Sequence, residues 1–255
     1  MELWMDKLGK FPMWHSNEGW RARIVVIYPG GGWHHISDFH KLAPKGVAMA
    51  GNGVPRHKDE SAEEMMHLDE QVVNVAASLA SYRPDVMLWC CTAGSFIKGK
   101  GHDKRLIKEM EKATQVPCTT TTTAVVAAFR QLHMKKICLV TPYPDNVNEI
   151  EKKFFEDHGF KVPIVRGLDL VDNSIIAHVS QNVLFRLAKK AYSPKADGIF
   201  ISCTGLDVLD IIEPLEQDIG KPVVTSNQAS FWHAFKLAKV GEPIQGFGRL
   251  LREPR

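Results

Sequence analysis

Two cysteines, Cys91 and Cys203, follow apolar segments that share one sequence pattern. The first segment reads Asp85-Val-Met-Leu-Trp-Cys-Cys91, and the second reads Asp197-Gly-Ile-Phe-Ile-Ser-Cys203; a threonine comes next in both. A thiolate is a nucleophile, and a thiol can donate or accept a proton. Thiols on opposite sides of a substrate could move a proton from one face of a carbon atom to the other. They could also add to a double bond and protonate it. The pair is therefore the first candidate for catalysis.

The similarity between the two segments continues on both sides of the cysteines. Upstream, Ile24-Val-Val-Ile-Tyr-Pro29 matches Ile137-Cys-Leu-Val-Thr-Pro142. Downstream, Val116-Pro-Cys-Thr-Thr-Thr121 matches Lys221-Pro-Val-Val-Thr-Ser226. Self-similarity of this kind indicates repeated structural units. We therefore predict two related lobes, each of which brings one cysteine to a shared cleft.

The repeat also sets the expected domain boundaries. The first lobe is predicted at residues 24–134, completed by the C-terminal segment 227–255, and the second lobe at residues 135–226. Residues 1–23 are rich in tryptophan and are predicted to be an N-terminal arm that packs on the rest of the chain.

Short apolar runs alternate with amphipathic segments along the chain. Strands are predicted at 24–28, 86–90, 137–140, 162–165, 198–202 and 223–224. Helices are predicted at 65–79, behind the capping box Ser61-Ala-Glu-Glu64, and at 106–113, 124–132, 147–157, 174–190, 206–219 and 230–238. This alternation is typical of parallel sheets covered by helices on both faces. The predicted fold class is α/β, with two pseudosymmetric Rossmann-like lobes and the active site in the cleft between them.

Both cysteines are predicted at the carboxyl ends of strands, where α/β sheets bind their ligands. We expect a helix to begin directly after each of them. The backbone amides that follow, at Thr92, Ala93 and Gly94 and at Thr204, Gly205 and Leu206, would then point towards a bound carboxylate. Cys90, Cys118 and Cys138 have no partner in the repeat and are interpreted as core residues.

Three further polar residues have a functional and a structural interpretation. Tyr143 follows a strand end, so its hydroxyl could bind an anion or could close the loop. Asn173 could bind substrate or cap the helix that follows it, and Asn227 has the same two interpretations.

Composition excludes several classes of protein. Hydrophobic residues make up 44% and charged residues 24%, as in soluble globular proteins. The net charge of +3 is spread without basic blocks, so a nucleic-acid partner is not expected; Lys98, Lys100, Lys104 and Arg105 form only a loose basic loop that could favour an anionic substrate. No apolar run reaches the roughly 18 residues that span a membrane.

The cysteine and histidine pattern bears on cofactors and location. Five cysteines without a Cys-x-x-Cys pair predict free thiols and, with no signal-peptide pattern, a cytoplasmic protein. No zinc spacing or nucleotide-binding fingerprint occurs, and His34 and His35 would point apart on an extended chain. We predict neither a cofactor nor a metal.

Several stretches together resemble the aspartate/glutamate racemase superfamily, in its branch of maleate cis–trans isomerases and arylmalonate decarboxylases. These stretches are Cys91-Thr-Ala-Gly-Ser-Phe-Ile-Lys-Gly99, Val140-Thr-Pro-Tyr-Pro-Asp-Asn-Val-Asn148, Gly159-Phe160, Ser202-Cys-Thr-Gly205, Lys221-Pro-Val-Val-Thr-Ser-Asn-Gln-Ala229, Phe231-Trp232 and Gly246-Phe-Gly-Arg-Leu250. The resemblance covers nearly the whole chain.

The resemblance implies two α/β lobes and cofactor-free chemistry at a carbon next to a carboxylate. In the isomerases the first cysteine attacks the double bond and the second donates a proton, and these roles fall on Cys91 and Cys203. The carboxylate-binding tyrosine and asparagine of the family fall on Tyr143 and Asn173. Backbone amides near Thr92 and Thr204 would complete the binding site.

The sequence departs from each subgroup at one place. The isomerases typically carry Pro-Ser-Ser-Asn-Thr after the first strand, where this chain has Pro29-Gly-Gly-Gly-Trp33. The decarboxylases have glycine where this chain has Cys91.

We therefore predict a cofactor-independent isomerase or racemase of a small carboxylic acid. The first alternative is an arylmalonate-type decarboxylase with Cys203 as proton donor. The second is a two-lobed carboxylate-binding protein without catalysis. A homo-oligomer is left open.

Overall fold

The protein contains two four-stranded parallel sheets. A computed structural model describes residues 18–30, 33–55 and 68–253. The first sheet has the order β2-β1-β3-β4, with β1 Ala22–Pro29, β2 Val47–Val54, β3 Val86–Trp89 and β4 Cys118–Thr120. The second has the order β6-β5-β7-β8, with β5 Lys136–Thr141, β6 Lys161–Gly167, β7 Gly198–Ile201 and β8 Val223–Thr225. The two orders are equivalent, so the predicted α/β fold with two pseudosymmetric lobes is confirmed.

Helices connect the strands and cover the sheets. In the first half they are α1 Trp33–Leu42, α2 Leu68–Leu79, α3 Thr92–Phe96, α4 His102–Thr114 and α5 Thr121–Gln131. They continue with α6 Asp145–Asp157, α7 Asn173–Ala177, α8 Gln181–Ala191, α9 Ile212–Ile219, α10 Ser226–Leu237 and α11 Arg249–Arg252. Short 3₁₀ turns occupy Ala80–Tyr82 and Leu209–Ile211. No helix among the residues described is long and apolar enough to cross a membrane.

The repeated aspartates explain part of the sequence repeat. The carboxylate of Asp85 accepts a hydrogen bond from the backbone N–H of Arg23, at 2.7 Å. The carboxylate of Asp197 accepts from the N–H groups of Lys135 and Lys136, both at 2.8 Å. Each aspartate therefore ties the loop before one central strand to the start of its neighbour. The equal spacing from each aspartate to its cysteine in the two repeats therefore has a structural explanation.

Two predicted helices differ from the structure. The single helix predicted at 174–190 is divided into α7 and α8, because the hydroxyl of Ser180 accepts from the N–H of Val183 and begins a new helix. The helix predicted from Leu206 begins only with the 3₁₀ turn at Leu209. The structure also contains β2, β4, α1 and α11, which the sequence did not predict. The capping box Ser61–Glu64 and most of the N-terminal arm lie outside the described residues.

Aromatic packing and α10 connect the two sheets into one core. The ring of Phe129 on α5 lies 5.3 Å from Phe155 and 5.5 Å from Phe200, which belong to the second sheet and its helices. Helix α10 follows the last strand of the second sheet, but its Phe231 packs on Phe39 of α1, with ring centroids 5.4 Å apart. The last part of the chain thus returns to the first sheet, and the cysteine-bearing strand ends face each other across a fixed interface.

Candidate active site

A cleft of about 460 Å³ lies where the carboxyl ends of the central strands of both sheets meet. Seven of the eight predicted site residues line it: Cys91, Thr92, Tyr143, Asn173, Cys203, Thr204 and Gly205. The eighth, Ala93, is buried and does not line the cleft. Segments that are far apart in sequence are therefore brought to one site, with a thiol from each half of the chain.

Cys91 lies directly before helix α3 and has an ordinary extended backbone, with φ −148° and ψ 117°. Its sulfur accepts a hydrogen bond from the N–H of Gly94, at 3.3 Å. A Cβ atom at Gly94 would lie 3.0 Å from this sulfur and 3.1 Å from the ring of Trp89, so only glycine leaves the thiol undisturbed. The expectation that Cys91 sits at the start of a helix is confirmed in the structure.

Cys203 has a different backbone conformation, with φ +90°. The sulfur accepts a hydrogen bond from the N–H of Gly205, at 3.3 Å. No helix begins here, because a turn at Thr204 and Gly205 is followed by irregular backbone and the 3₁₀ turn starts only at Leu209, so the expected helix start after Cys203 is wrong. A positive φ at a residue with a side chain costs about 1–3 kcal/mol and persists only where surrounding contacts hold it.

The threonine after each cysteine uses its hydroxyl to join the two lobes. The hydroxyl of Thr92 donates to that of Ser226, at 2.9 Å, and the hydroxyl of Thr204 donates to the carbonyl of Cys90, at 3.3 Å. Because both hydroxyls have buried protein partners, these two residues would serve a ligand through their backbone. The amides of Gly94 and Gly205, which were expected to face a carboxylate, donate to the thiols instead.

Tyr143 and Asn173 both reach the cleft from the second half of the chain. Tyr143 follows β5 and is 1% exposed, with its ring edge on Phe96 at 6.3 Å between centroids. Asp172, not Asn173, caps helix α7, since its carboxylate accepts from the N–H of Ser174 at 2.7 Å. The capping interpretation of Asn173 is therefore wrong, and its side chain lines the cleft.

Histidines that the sequence did not predict as site residues also line the cleft. His34 and His35 lie on helix α1 and not on the extended chain that was expected, and both line the cleft. A ring nitrogen of His34 lies 3.1 Å from the carbonyl of Ala177 on α7, and the ring of His35 stacks on Tyr28 at 5.3 Å. Trp33, which is 80% exposed, stands at the edge of the same cleft. Helix α1 follows the glycine-rich loop after Pro29, and the sequence there has no helical periodicity from which the helix could be predicted.

The charges around the cleft are unevenly placed. Among the described residues no lysine or arginine lines it. The predicted basic loop lies elsewhere, where Lys100 donates to the carbonyl of Asp157 at 2.7 Å. In the described part of the chain, no group of three or more histidines, cysteines and acids is placed to hold a metal ion. The groups that the described cleft residues offer to a carboxylate are N–H, O–H and imidazole groups.

Buried ionisable groups lie behind both cysteines. Burial raises the pKa of Asp38 to about 6, although a hydrogen bond from Asn227 opposes the change. Burial raises the pKa of Glu151 to about 8, partly offset by a hydrogen bond from Ser202. Burial also raises the pKa of Cys90 far above its usual range and that of Cys118 to about 12. Cys90 and Cys118 are thus buried neutral thiols, as expected of core residues.

Comparison with known proteins places this site in a family. The sequence model of the arylmalonate decarboxylase family matches residues 42–251. Arylmalonate decarboxylase from Bordetella bronchiseptica is 36% identical over 187 residues, which cover 72% of this chain and 78% of that protein. Maleate isomerase from Pseudomonas putida is 26% identical over 202 residues, which cover 77% of this chain and 81% of that protein.

A solved structure agrees with these sequence matches. It is an arylmalonate decarboxylase in its liganded form, with one glycine changed to cysteine and one cysteine changed to serine. It superposes with a TM-score of 0.86 at 32% identity and covers 90% of this chain and 98% of its own. The curated relatives are enzymes, so the prediction of an enzyme of this branch is confirmed. The chain belongs to the arylmalonate decarboxylase family.

Proposed function

We propose that the protein is a cofactor-independent isomerase or racemase of a small carboxylic acid, with Cys91 and Cys203 as its two catalytic groups. The observation that carries the proposal is that both thiols line one cleft from opposite halves of the chain. The decarboxylases resembled by the sequence have glycine at the first of these positions. This chain therefore has the additional group that a reaction on two faces of a carbon atom requires.

In a racemisation, the thiolate of one cysteine removes the proton from the carbon next to the carboxylate. The electron pair moves into the carboxylate to give an enediolate, and the thiol of the other cysteine returns a proton to the opposite face. The first cysteine ends as a thiol and the second as a thiolate, so the protons balance. In a double-bond isomerisation, the Cys91 thiolate would form a C–S bond, Cys203 would protonate the neighbouring carbon, and reversal after rotation would release the isomer.

The substrate carboxylate would lie against the backbone after each cysteine, with Tyr143 and Asn173 completing the site. Stabilisation of developing negative charge by fixed donors is usually a large part of such catalysis. Among the described residues, backbone N–H groups, the Tyr143 hydroxyl and the Asn173 amide are the donors that we assign to this charge. These roles are supported by the positions of the four groups around one cleft.

The test is proton exchange in D₂O with single-cysteine variants. Both enantiomers of 2-phenylpropionate, and separately maleate, would be incubated with the wild-type protein, Cys91→Ser and Cys203→Ser. The wild-type protein should interconvert the isomers of a substrate that it accepts. Each variant should exchange the α proton of a racemisable acid from one face only and fail to interconvert enantiomers. Normal interconversion by either variant would rule out the two-thiol mechanism.

A second candidate is decarboxylation of an arylmalonate. The observation that favours it is the 36% identity with an arylmalonate decarboxylase, over 72% of the chain. Loss of carbon dioxide leaves an enediolate that needs one proton, which Cys203 would supply. Release of carbon dioxide from phenylmalonate by the wild-type protein would support this reaction, and its absence would leave the isomerase or racemase alone.

A further inference from the structure

Asn227 is a buried polar residue whose side chain forms hydrogen bonds with residues outside its own helix. It is 1% exposed and occupies the second position of α10. The capping function expected there is carried by Thr225 and Gln228, which form a complete capping box. The capping interpretation of Asn227 is therefore wrong, and its amide has another function.

The Asn227 side chain forms hydrogen bonds with a neighbour of each candidate catalytic cysteine and with Asp38, which fixes the orientation of the amide. Its Nδ2 donates to the carbonyl of Thr204, at 3.1 Å, and to the carboxylate of Asp38, at 2.8 Å. Its Oδ1 accepts from the thiol of Cys90, at 3.7 Å. Thr204 follows Cys203 and Cys90 precedes Cys91, so one side chain contacts both cysteine loops.

Asp38 determines which way the amide points. Rotation of the amide by 180° would place Oδ1 against the carboxylate of Asp38 and the carbonyl of Thr204, which are both acceptors. The observed orientation is thus the only one that satisfies both neighbours. Asp38 is itself 1% exposed and lies on α1, so the constraint is built into the core.

The Cys203 loop needs such a constraint. Cys203 has φ +90°, which a residue with a side chain adopts only where its surroundings hold it. The carbonyl bonded by Asn227 belongs to the next residue, and the N–H that contacts the Cys203 sulfur belongs to Gly205. A loop released at Thr204 would lose the orientation of both the thiol and this N–H.

We propose that Asn227, oriented by Asp38, is a positioning residue that holds the Cys203 loop in its strained conformation and ties it to the Cys91 loop. The kinetic part of this inference rests on the proposed function. The effect on the thiols does not, because it can be measured without a substrate.

The first experiment measures alkylation of each cysteine by iodoacetamide in the folded full-length protein, with mass-spectrometric peptide mapping. In Asn227→Ala, Cys203 should react roughly tenfold more slowly, because the relaxed loop turns its thiol away from the cleft and from the Gly205 N–H. Asn227→Ser is the second variant, for use if Asn227→Ala does not fold; its side chain is too short to bridge Thr204 and Asp38, so the same change is expected.

Gln228→Ala is the matched control. Gln228 is the next residue of the same helix, is fully buried, and loses hydrogen bonds to Thr225 and Phe247 when truncated. This variant should melt at a lower temperature while both alkylation rates stay as in the wild-type protein. An Asn227 variant that behaves like this control would overturn the proposal.

Two variants of Asp38 distinguish its role in orienting the Asn227 amide from the effect of its charge. Asp38→Asn keeps an oxygen that can accept from Asn227, so it should retain the wild-type alkylation rate of Cys203. Asp38→Ala removes the acceptor and should resemble Asn227→Ala. Equal alkylation rates in these two Asp38 variants would contradict the proposed orientation.

Kinetics on an accepted substrate give the second readout. In Asn227→Ala, kcat should fall roughly 100-fold with little change in KM, since a displaced catalytic group reacts more slowly while the binding groups remain. A change confined to KM would contradict a positioning role. Should the protein catalyse neither proposed reaction, the alkylation result still decides the function of Asn227.

Discussion

The loops after β3 and β7 occupy equivalent places in the two sheets and carry equivalent cysteines, yet they are held differently. Cys91 has an extended backbone and leads into a short helix, whereas Cys203 has φ +90° and leads into turns. The residue before Cys91 bonds to the neutral amide of Asn227, and the residue before Cys203 bonds to the buried carboxyl of Glu151. A sequence repeat can thus preserve the position of a thiol while its support changes. We infer that the two thiols are not interchangeable in the reaction.

The largest expected effect comes from removing the thiols one at a time. Cys203→Ala should lower the rate of any of the considered reactions by roughly 10²–10⁴, because each mechanism passes a proton through this group. Cys91→Gly should lose isomerisation and racemisation but keep any decarboxylation. Rates with maleate, 2-phenylpropionate and phenylmalonate measure the difference. Near wild-type activity of Cys203→Ala on an accepted substrate would refute the proposed site.

A second difference between the loops should appear in the pH dependence of stability. Glu151 is fully buried and accepts from Ser202 at 2.6 Å, and burial raises its pKa to about 8. Between pH ~4.3 and that value the unfolded chain is ionised at this residue and the folded protein is not. The folded state therefore loses relative stability as pH rises through this window, by at most about 1.4 kcal/mol per pH unit.

Glu151→Gln should remove this slope and keep an acceptor for Ser202. Urea denaturation at intervals of about one pH unit, from about pH 5 to about pH 8, measures the free energy of unfolding of both proteins. Cys90→Ser alters the equivalent position of the other loop and should leave the wild-type slope. Parallel curves for Glu151→Gln and the wild-type protein would contradict the assignment.

The third prediction concerns Tyr143, a proposed anion-binding group that is present in one lobe alone. Tyr143 follows Pro142 in the second lobe, and its equivalent after Pro29 is Gly30. If its hydroxyl contacts developing charge, Tyr143→Phe should lower kcat/KM by an amount equal to about 1–3 kcal/mol. Tyr192→Phe is the control, since Tyr192 donates to the carbonyl of Ile219 and does not line the cleft. Equal kinetics in the two variants would assign Tyr143 a structural role.

The fourth prediction compares the glycines whose amides contact the thiols. A Cβ atom at Gly94 would lie 3.0 Å from the Cys91 sulfur, whereas one at Gly205 would lie 3.5 Å from the Cys203 sulfur. Gly94→Ala should therefore destabilise the protein by about 1–3 kcal/mol through overpacking. Gly205→Ala should change stability by no more than about 0.5 kcal/mol. Chemical denaturation distinguishes them, and equal losses would show that the Cys91 loop can adjust.

A smaller effect than that of Gly94→Ala is expected at the repeated aspartates. Partial burial opposes ionisation of Asp197, but the N–H groups of Lys135 and Lys136 outweigh it and lower the pKa of this carboxyl. Asp85 accepts from one N–H in the equivalent place. Asp197→Ala should lower the free energy of unfolding by about 1–2 kcal/mol, and Asp85→Ala should lower it by about half as much. Because the pKa is lowered in the folded state, the stabilisation by ionised Asp197 is fully present above pH ~3.9 and should be lost as pH falls through the lowered folded-state pKa. A larger loss at Asp85 would contradict the hydrogen-bond argument.

Much of the fold could be predicted because its signals are local. Apolar strands such as Val86–Trp89 and Gly198–Ile201 are fully buried, and their repeat places both cysteines at strand ends. Strand β2 was missed because it is a partly exposed edge strand of small and polar residues, Val47–Val54. The domain boundaries, the homo-oligomer and the cytoplasmic location stay predictions.

The site was predicted less completely than the fold, for a physical reason. Cysteine, tyrosine and asparagine at strand ends are visible in the sequence. The positive φ of Cys203 is not, because no local sequence pattern marks it. The same applies to His34 and His35, which reach the cleft only because α1 forms there.

The return of α10 to the first sheet has a consequence for how the protein is made. Ser230 donates to Thr121, and His233 lies 2.9 Å from the hydroxyl of Thr119, so residues near the end of the chain complete the first half. Domains generally fold as they leave the ribosome, starting from the N-terminus. Here the first half is completed only after α10 has emerged, with apolar surface exposed in the meantime. We expect the nascent chain to depend on chaperones until α10 has been synthesised.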